Sequence, residues 1–243
     1  MREYESTRTK SRSGQAELCY KFAMRILLIT LLSIMAVPAY GSIIMFTGDV
    51  SVGPAPSSLL PGAQESDSTI LGFAEQQGVL LLSNVNVGIT SPGTWICCSF
   101  PGGTVDSGTT VNSYLLYASP ASDQSGDDFR TFTGSITFSP GERIVGIMIE
   151  YQQLAATDSI LGASGTTYPP PTYGKAGLES LDEVIVGSNA SSVYVDLHIA
   201  AGNIDMIRIL TETPEPADFV LLGSGLIALA LFGRRRLAAR RKA

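Results

Sequence analysis

The sequence predicts an all-β protein: an antiparallel two-sheet sandwich, jelly-roll-like, flanked by an N-terminal signal helix and a C-terminal transmembrane helix. Three observations carry that expectation. Short runs of β-branched and aromatic residues recur between turn clusters across residues 42–212. No long amphipathic helix separates them. Continuous apolar, helix-forming character sits instead near the two ends, in residues 26–37 and 219–232.

The strand expectations follow in order. They are Ile43–Val50, Thr69–Ala74, Gly78–Ile89, Thr94–Phe100, Val111–Ala118, Phe129–Phe138, Ile144–Tyr151, Leu178–Val186, Ser192–Ala200 and Ile204–Glu212. Ser91-Pro92-Gly93, Pro101-Gly102-Gly103, Ser139-Pro140-Gly141 and Ala201-Gly202-Asn203 punctuate them as turns. Two segments alternate with period two. Val193, Val195, Leu197 and Ile199 share one face, and Phe132, Gly134, Ile136 and Phe138 share another. Ile144–Ile149 is apolar without alternation, which predicts a strand covered on both faces.

Charge is partitioned along the chain. The formal total is −6. Residues 42–213 hold four cations (Arg130, Arg143, Lys175, Arg208) against 17 acids, a local balance near −13. Such a surface repels nucleic acid and anionic membrane and favours solubility and divalent cations. Cysteine usage gives no disulfide framework. Cys19 precedes the first apolar run, and the adjacent Cys97 and Cys98 read as small apolar residues on a buried strand.

Both ends read as address labels rather than fold. Residues 1–23 are polar, a disordered leader or an upstream misplacement of the start, with Met24 as the alternative start. Residues 24–41 have the layout of a secretory signal: Arg25, an apolar run to Val37, then Pro38 and small residues, with cleavage after Ala39 or Gly41. The ectodomain spans 42–212, and a tail spans 213–243 with a helix over 217–236. That tail reads Pro214-Glu215-Pro216, then the apolar run Phe219–Phe232, then Arg234-Arg235-Arg236. Fourteen residues make a helix of about 21 Å, short of a hydrocarbon core of about 30 Å. The arginines would hold its C-terminal end in the cytoplasm, so it suits a temporary stop-transfer element better than a permanent anchor.

The order Pro-Glu-Pro, glycine-containing apolar helix and arginine cluster resembles the PEP-CTERM sorting signal of Gram-negative bacteria, over residues 213–241. The resemblance implies cutting near the Pro-Glu-Pro by an exosortase, an integral-membrane cysteine protease, after signal peptidase has removed the leader. It also implies passage through the inner membrane to the cell surface or extracellular matrix, in company with exopolysaccharide. Residues 111–212 are similar to a recurrent extracellular module of such proteins, through Val111–Tyr117, Thr133–Phe138, Asp158–Gly162 with Gly165–Pro169, and Asp205–Ile209. Neither resemblance implies catalytic residues.

Candidate chemistry is sparse. His198 is the sole histidine and falls beside Asp196 on the polar face of its strand, which reads as an exposed strand residue. One histidine and two adjacent cysteines cannot supply structural zinc. Asp123, Asp127 and Asp128 surround Gly126 in a loop of hard oxygen ligands that can take calcium, although the spacing departs from an EF-hand. Tyr168 and Tyr173 flank Pro169-Pro170-Pro171 as a sugar-stacking candidate, with Trp95 and Tyr194 behind them. Glu142, Glu150, Glu179, Asp182 and Glu183 are the acids from which a glycosidase pair would have to come; their spacing marks no pair, and acids on strand edges read as solvated faces. The sequence therefore points to a non-enzymatic, structural or adhesive surface protein, ahead of a lectin-like carbohydrate- or calcium-binding module and an envelope hydrolase. The intact mass of the exported protein checks the two ends. Termini at Tyr40 or Ser42 and near Pro214–Pro216 are expected, whereas a full-length chain dissolved in the cytosol would contradict both labels.

Overall fold

The computed structural model describes residues 42–96, 99–121, 129–170, 176–200 and 202–212, all within one compact unit. The signal segment with Ala39 and Gly41, the acids Asp123, Asp127 and Asp128, Tyr173, Cys97 and Cys98 lie outside the described residues. So does the whole tail with Pro214, Glu215, Pro216, Arg234, Arg235 and Arg236. Among the described residues no helix is long and apolar enough to cross a membrane.

Thirteen strands and one helix make up the described chain. The first seven strands are β1 (Ile43–Gly48), β2 (Val50–Val52), β3 (Ile70–Ala74), β4 (Val79–Leu80), β5 (Val85–Val87), β6 (Gly93–Ile96) and β7 (Gly103–Val105). Then come β8 (Thr110–Ala118), β9 (Phe129–Phe138), β10 (Arg143–Met148), the helix α1 (Tyr151–Leu161), β11 (Glu183–Val186), β12 (Ser192–Ala200) and β13 (Asp205–Glu212). One sheet has the order β1-β9-β12-β11-β6, antiparallel throughout. The other has the order β10-β13-β8-β3-β2 with β4 also on β8, and its β2–β3 pair is parallel. β5 and β7 form a small separate ribbon.

The two sheets enclose a shared core. Phe132, Ile136, Val193, Val195, Leu197 and Ile199 from the first meet Tyr114, Leu116, Ile147, Ile207 and Ile209 from the second. On β9 and β12 the alternation seen in the sequence is the alternation of burial. A second core lies on the other side of the six-stranded sheet, where Phe73, Leu115, Tyr117, Met206 and Leu210 meet Leu154 and Leu161 of α1 and Val87 and Val105 of the ribbon. β8 and β13 are thus covered on both faces, which is why they carry unbroken buried runs.

The chain crosses between sheets at one tight corner. Gly48 has φ +69, a left-handed conformation that glycine adopts without penalty. A Cβ on Gly134 would lie 2.6 Å from the Thr47 carbonyl oxygen, so β9 needs glycine where β1 turns away. The Asp49 carboxylate closes the corner by accepting the Thr133 amide at 2.8 Å.

Several expected boundaries shift. The strand expected to reach Tyr151 stops at Met148, and α1 follows. α1 escapes periodicity analysis because its buried face is Leu154, Thr157 and Leu161, only two of them apolar. Gly78–Ile89 divides into β4 and β5 around residues 81–84, and the expected turn at Gly103 opens β7 instead. Residues 178–182 form a loop, leaving only Glu183–Val186 as strand.

The helix is held by a buried charge. The Arg208 side chain, fully buried on β13, donates from Nε and Nη2 to both oxygens of Glu75, at 2.7 and 2.8 Å. Nη2 also reaches Asp158 at 2.8 Å, and Nη1 donates to the Leu154 carbonyl at 2.9 Å and Thr157 Oγ1 at 2.7 Å. Ser113 and Tyr168 hydroxyls donate to Glu75 at 2.6 Å each. An uncompensated buried carboxylate costs several kcal/mol. Arg208→Ala should therefore lower the unfolding free energy by about 3–5 kcal/mol in urea titration; a loss below about 1 kcal/mol would show that the pairs contribute no more than surface ones.

Candidate functional site

A cleft of about 330 Å³ lies between α1 and the segment that forms β5. Ser83, Asn84 and Asn86 line one wall. Glu150, Gln152, Gln153 and Ile160 line the other. The first wall is fixed because Asn84 Oδ1 accepts the Ser107 amide at 3.0 Å. The second is fixed because Gln153 Oε1 accepts the Ile149 amide at 3.3 Å and because Arg208 grips the helix from below. Asn84 and Asn86 are exposed and Gln153 is half-buried, so carboxamide donors line the cleft beyond these bonds. Carboxamides present donors and acceptors without charge, the chemistry that suits a neutral polyhydroxylated ligand. Glu150 is the only acid in the cleft.

A second surface is the outer face of the five-stranded sheet. Tyr194 sits at its middle, in register with Ser135 on one side and Ile185 on the other. Thr47 follows beyond Ser135, with their hydroxyls 2.8 Å apart, and Thr94 follows beyond Ile185. Thr131, Thr133 and Thr137 extend the same face along β9. It bears hydroxyls around the Tyr194 ring, with Asp196, His198 and exposed Phe129 toward one end.

The residues singled out from sequence are dispersed. Tyr168 does not present a free ring to a ligand. It is half-buried, with its ring over the Arg208 guanidinium at 5.5 Å and its hydroxyl accepting the Ala163 amide at 2.7 Å while donating to Glu75. Burial, then the Glu75 charge, pushes its pKa up. Trp95 is half-buried against the inter-sheet core, and its ring N–H points to the Ser91 carbonyl at 3.4 Å. His198 keeps the expected outward position, with Nδ1 3.7 Å from Asp196 Oδ1, and both side chains are 29% exposed rather than fully solvated.

The five weighed acids separate. Glu142 is not a solvated edge acid. It is buried and accepts from Tyr114 Oη at 2.8 Å, Asn112 Nδ2 at 3.3 Å, Ser42 N at 3.0 Å and the Thr211 hydroxyl. Glu150 stands alone in the cleft, and Glu183 faces outward opposite Asp196. Asp182 is also buried, contrary to the expected solvated face. It takes the His198 amide at 2.7 Å and the Glu179 amide, and these bonds tie the 178–182 loop to β12. Only Glu179 and Asp182 come together, on one loop.

Sequence reasoning missed Glu75, Arg208 and Asp205. A signal existed in β13, Asp205-Met206-Ile207-Arg208-Ile209-Leu210, where two opposite charges interrupt an apolar run. No protein-family model, curated protein or solved structure matches the chain.

Three acids, two buried and one partly buried, set a pH response. Asp158, Asp182 and Asp205 all have pKa values raised above the ordinary aspartate value of 3.8, with burial the largest cause in each. Arg208 opposes the rise at Asp158, and two backbone amides oppose it at Asp182. A raised carboxyl pKa means that the folded state binds protons more readily than the unfolded chain. Its stabilisation is complete below the unfolded value and is lost as pH climbs through the folded one. Thermal melting should therefore rise from pH 8 to pH 5, and Asp205→Asn should flatten the slope. A wild-type profile that falls over that interval would contradict the upward direction of these shifts.

Proposed function

We propose that this chain is an exported cell-surface or extracellular-matrix protein with a structural or adhesive role on exopolysaccharide, delivered by a PEP-CTERM-type tail. The reading assigns signal peptidase and an exosortase-type protease as its processing partners, with a transient stay in the inner membrane through helix 217–236. Its ectodomain is a jelly-roll-like sandwich that presents its ligand surfaces to the outside. The supports are the signal segment before residue 42, the ordered tail motifs after residue 212 and the acidic balance between them. One structural observation carries the polysaccharide contact: a cleft walled by Asn84, Asn86, Gln152 and Gln153, neutral groups fixed on a rigid helix and ribbon. An acidic ectodomain would be repelled by an anionic polymer, so uncharged hydrogen-bonding groups are the suitable contact.

A lectin-like reading shares this cleft and adds the Tyr194 face, where an aromatic ring and flanking hydroxyls offer stacking and hydrogen bonds to a sugar chain. Co-sedimentation of the full-length chain with the producing cell's own exopolysaccharide tests the proposal. Asn86→Ala with Gln152→Ala should weaken retention about tenfold, equivalent to about 1.4 kcal/mol, with the melting temperature unchanged. Tyr194→Ala tests the Tyr194 face separately. Retention of the wild-type protein on no envelope polymer would remove the adhesive role.

A further inference from the structure

Asp205 opens β13 with a side chain only 1% exposed, on the same side of the strand as Ile207 and Ile209, which fill the inter-sheet core. Neither of its carboxyl oxygens has a hydrogen-bond partner. That combination is rare, because a buried carboxyl is ordinarily paired with a donor or a cation. The charges nearest to it are of its own sign: Asp182 and Glu179 both act on it, and burial and these two neighbours together push its pKa well up. Asp182 is itself buried and held by the amides of Glu179 and His198. Glu179 Oε1 accepts Asn203 Nδ2 at 2.7 Å, which brings the turn between β12 and β13 against the 178–182 loop. Three carboxyl groups and one carboxamide therefore gather at one end of the sandwich without a compensating cation among the described residues.

We propose that Asp205, Asp182 and Glu179 bind calcium, or a similarly hard divalent cation, where the β12–β13 turn meets the 178–182 loop. The donor set is all oxygen, which matches calcium rather than a transition metal. Among the described residues no three acid, histidine or cysteine side chains already form a ready metal shell. Binding accordingly draws Asp205 and Glu179 toward the ion while carbonyl or water oxygens complete its six to eight ligands. The proposed ligands include none of Asp123, Asp127 and Asp128, the acids considered from sequence.

The test is melting of the full-length chain at pH 8 in calcium chloride against EDTA, with calorimetric titration by calcium. Calcium at about 100 times its Kd should raise the melting temperature by about 5–10 °C, with binding through one ion per chain at this cluster. Asp205→Asn should abolish the rise. Glu179→Gln, at a half-exposed position that the fold tolerates, should weaken binding at least tenfold and decides the matter if Asp205→Asn fails to fold. Asp123→Asn with Asp127→Asn and Asp128→Asn should leave the rise intact. No rise in the wild type overturns the proposal. So does a rise that survives Glu179→Gln at full strength, or one lost only in the triple variant.

Discussion

Arg208 organises one side of this molecule. Its guanidinium is fully buried and every donor group is engaged: both Glu75 oxygens, Asp158, the Leu154 carbonyl and the Thr157 hydroxyl. A planar fork with five N–H donors suits this arrangement, and a lysine would not reproduce it. The contacts come from three places distant in sequence, the end of β3, helix α1 and β13. The network therefore fixes where the helix lies on the sheet. Hydrophobic contact through Leu154 and Leu161 alone is non-directional and would leave the helix free to slide or roll. Tyr168 closes the arrangement by covering the guanidinium and donating to the same carboxylate.

The cost of that interior charge is borne by the rest of the architecture. β8 and β13 are sealed on both faces, one by the facing sheet and the other by α1 and the β5–β7 ribbon. At the opposite end of the inter-sheet core, Glu142 draws on Asn112, Tyr114, Thr211 and the Ser42 amide, so the first described residue is tied to the β9–β10 turn and to β13. Burial, reinforced by Glu142, pushes the Tyr114 pKa up, so this hydroxyl stays a donor. Two polar clusters are thus complete. Asp205 differs in that both oxygens of a buried carboxyl lack a partner, and the contrast with Glu142 is what makes them informative.

How much of this was legible in the sequence depends on which signal each element carries. β9 and β12 were readable because each buries one face, so period two appears directly in the residues. β8 and β13 were readable as strands from their β-branched and aromatic content, but the polar residues inside them were not readable as partners. Arg208 meets Glu75 across 133 positions, and no local pattern announces a pairing at that separation. α1 was hidden for a related reason: Thr157 occupies a buried helix position because it serves Arg208, and this erases the apolar stripe that would have marked the helix. The cleft follows from α1, so it was hidden too. Tyr168 shows the converse error, since a tyrosine beside a proline run reads as exposed until its buried carboxylate partner is known.

The charge distribution suits the extracellular role proposed above. Residues 42–213 carry only four cations, and Arg208 is withdrawn into the interior. Glu75, Glu142, Asp182 and Asp205 are withdrawn with it, and the remaining acids still far outnumber the remaining cations. A surface of that sign attracts divalent cations and repels polyanions and anionic lipid. The two candidate contact surfaces reduce that conflict, because carboxamides outnumber the single acid Glu150 in one and hydroxyls surround Tyr194 on the other. Neutral hydrogen-bonding groups recognise hydroxyl-rich polymers without depending on ionic strength, whereas exposed ion pairs weaken as salt rises. A protein working outside the cell meets uncontrolled salt and pH. Its directional interactions are best placed in a buried charge network, where screening is weak, and its ligand contacts on uncharged groups, where screening does not matter.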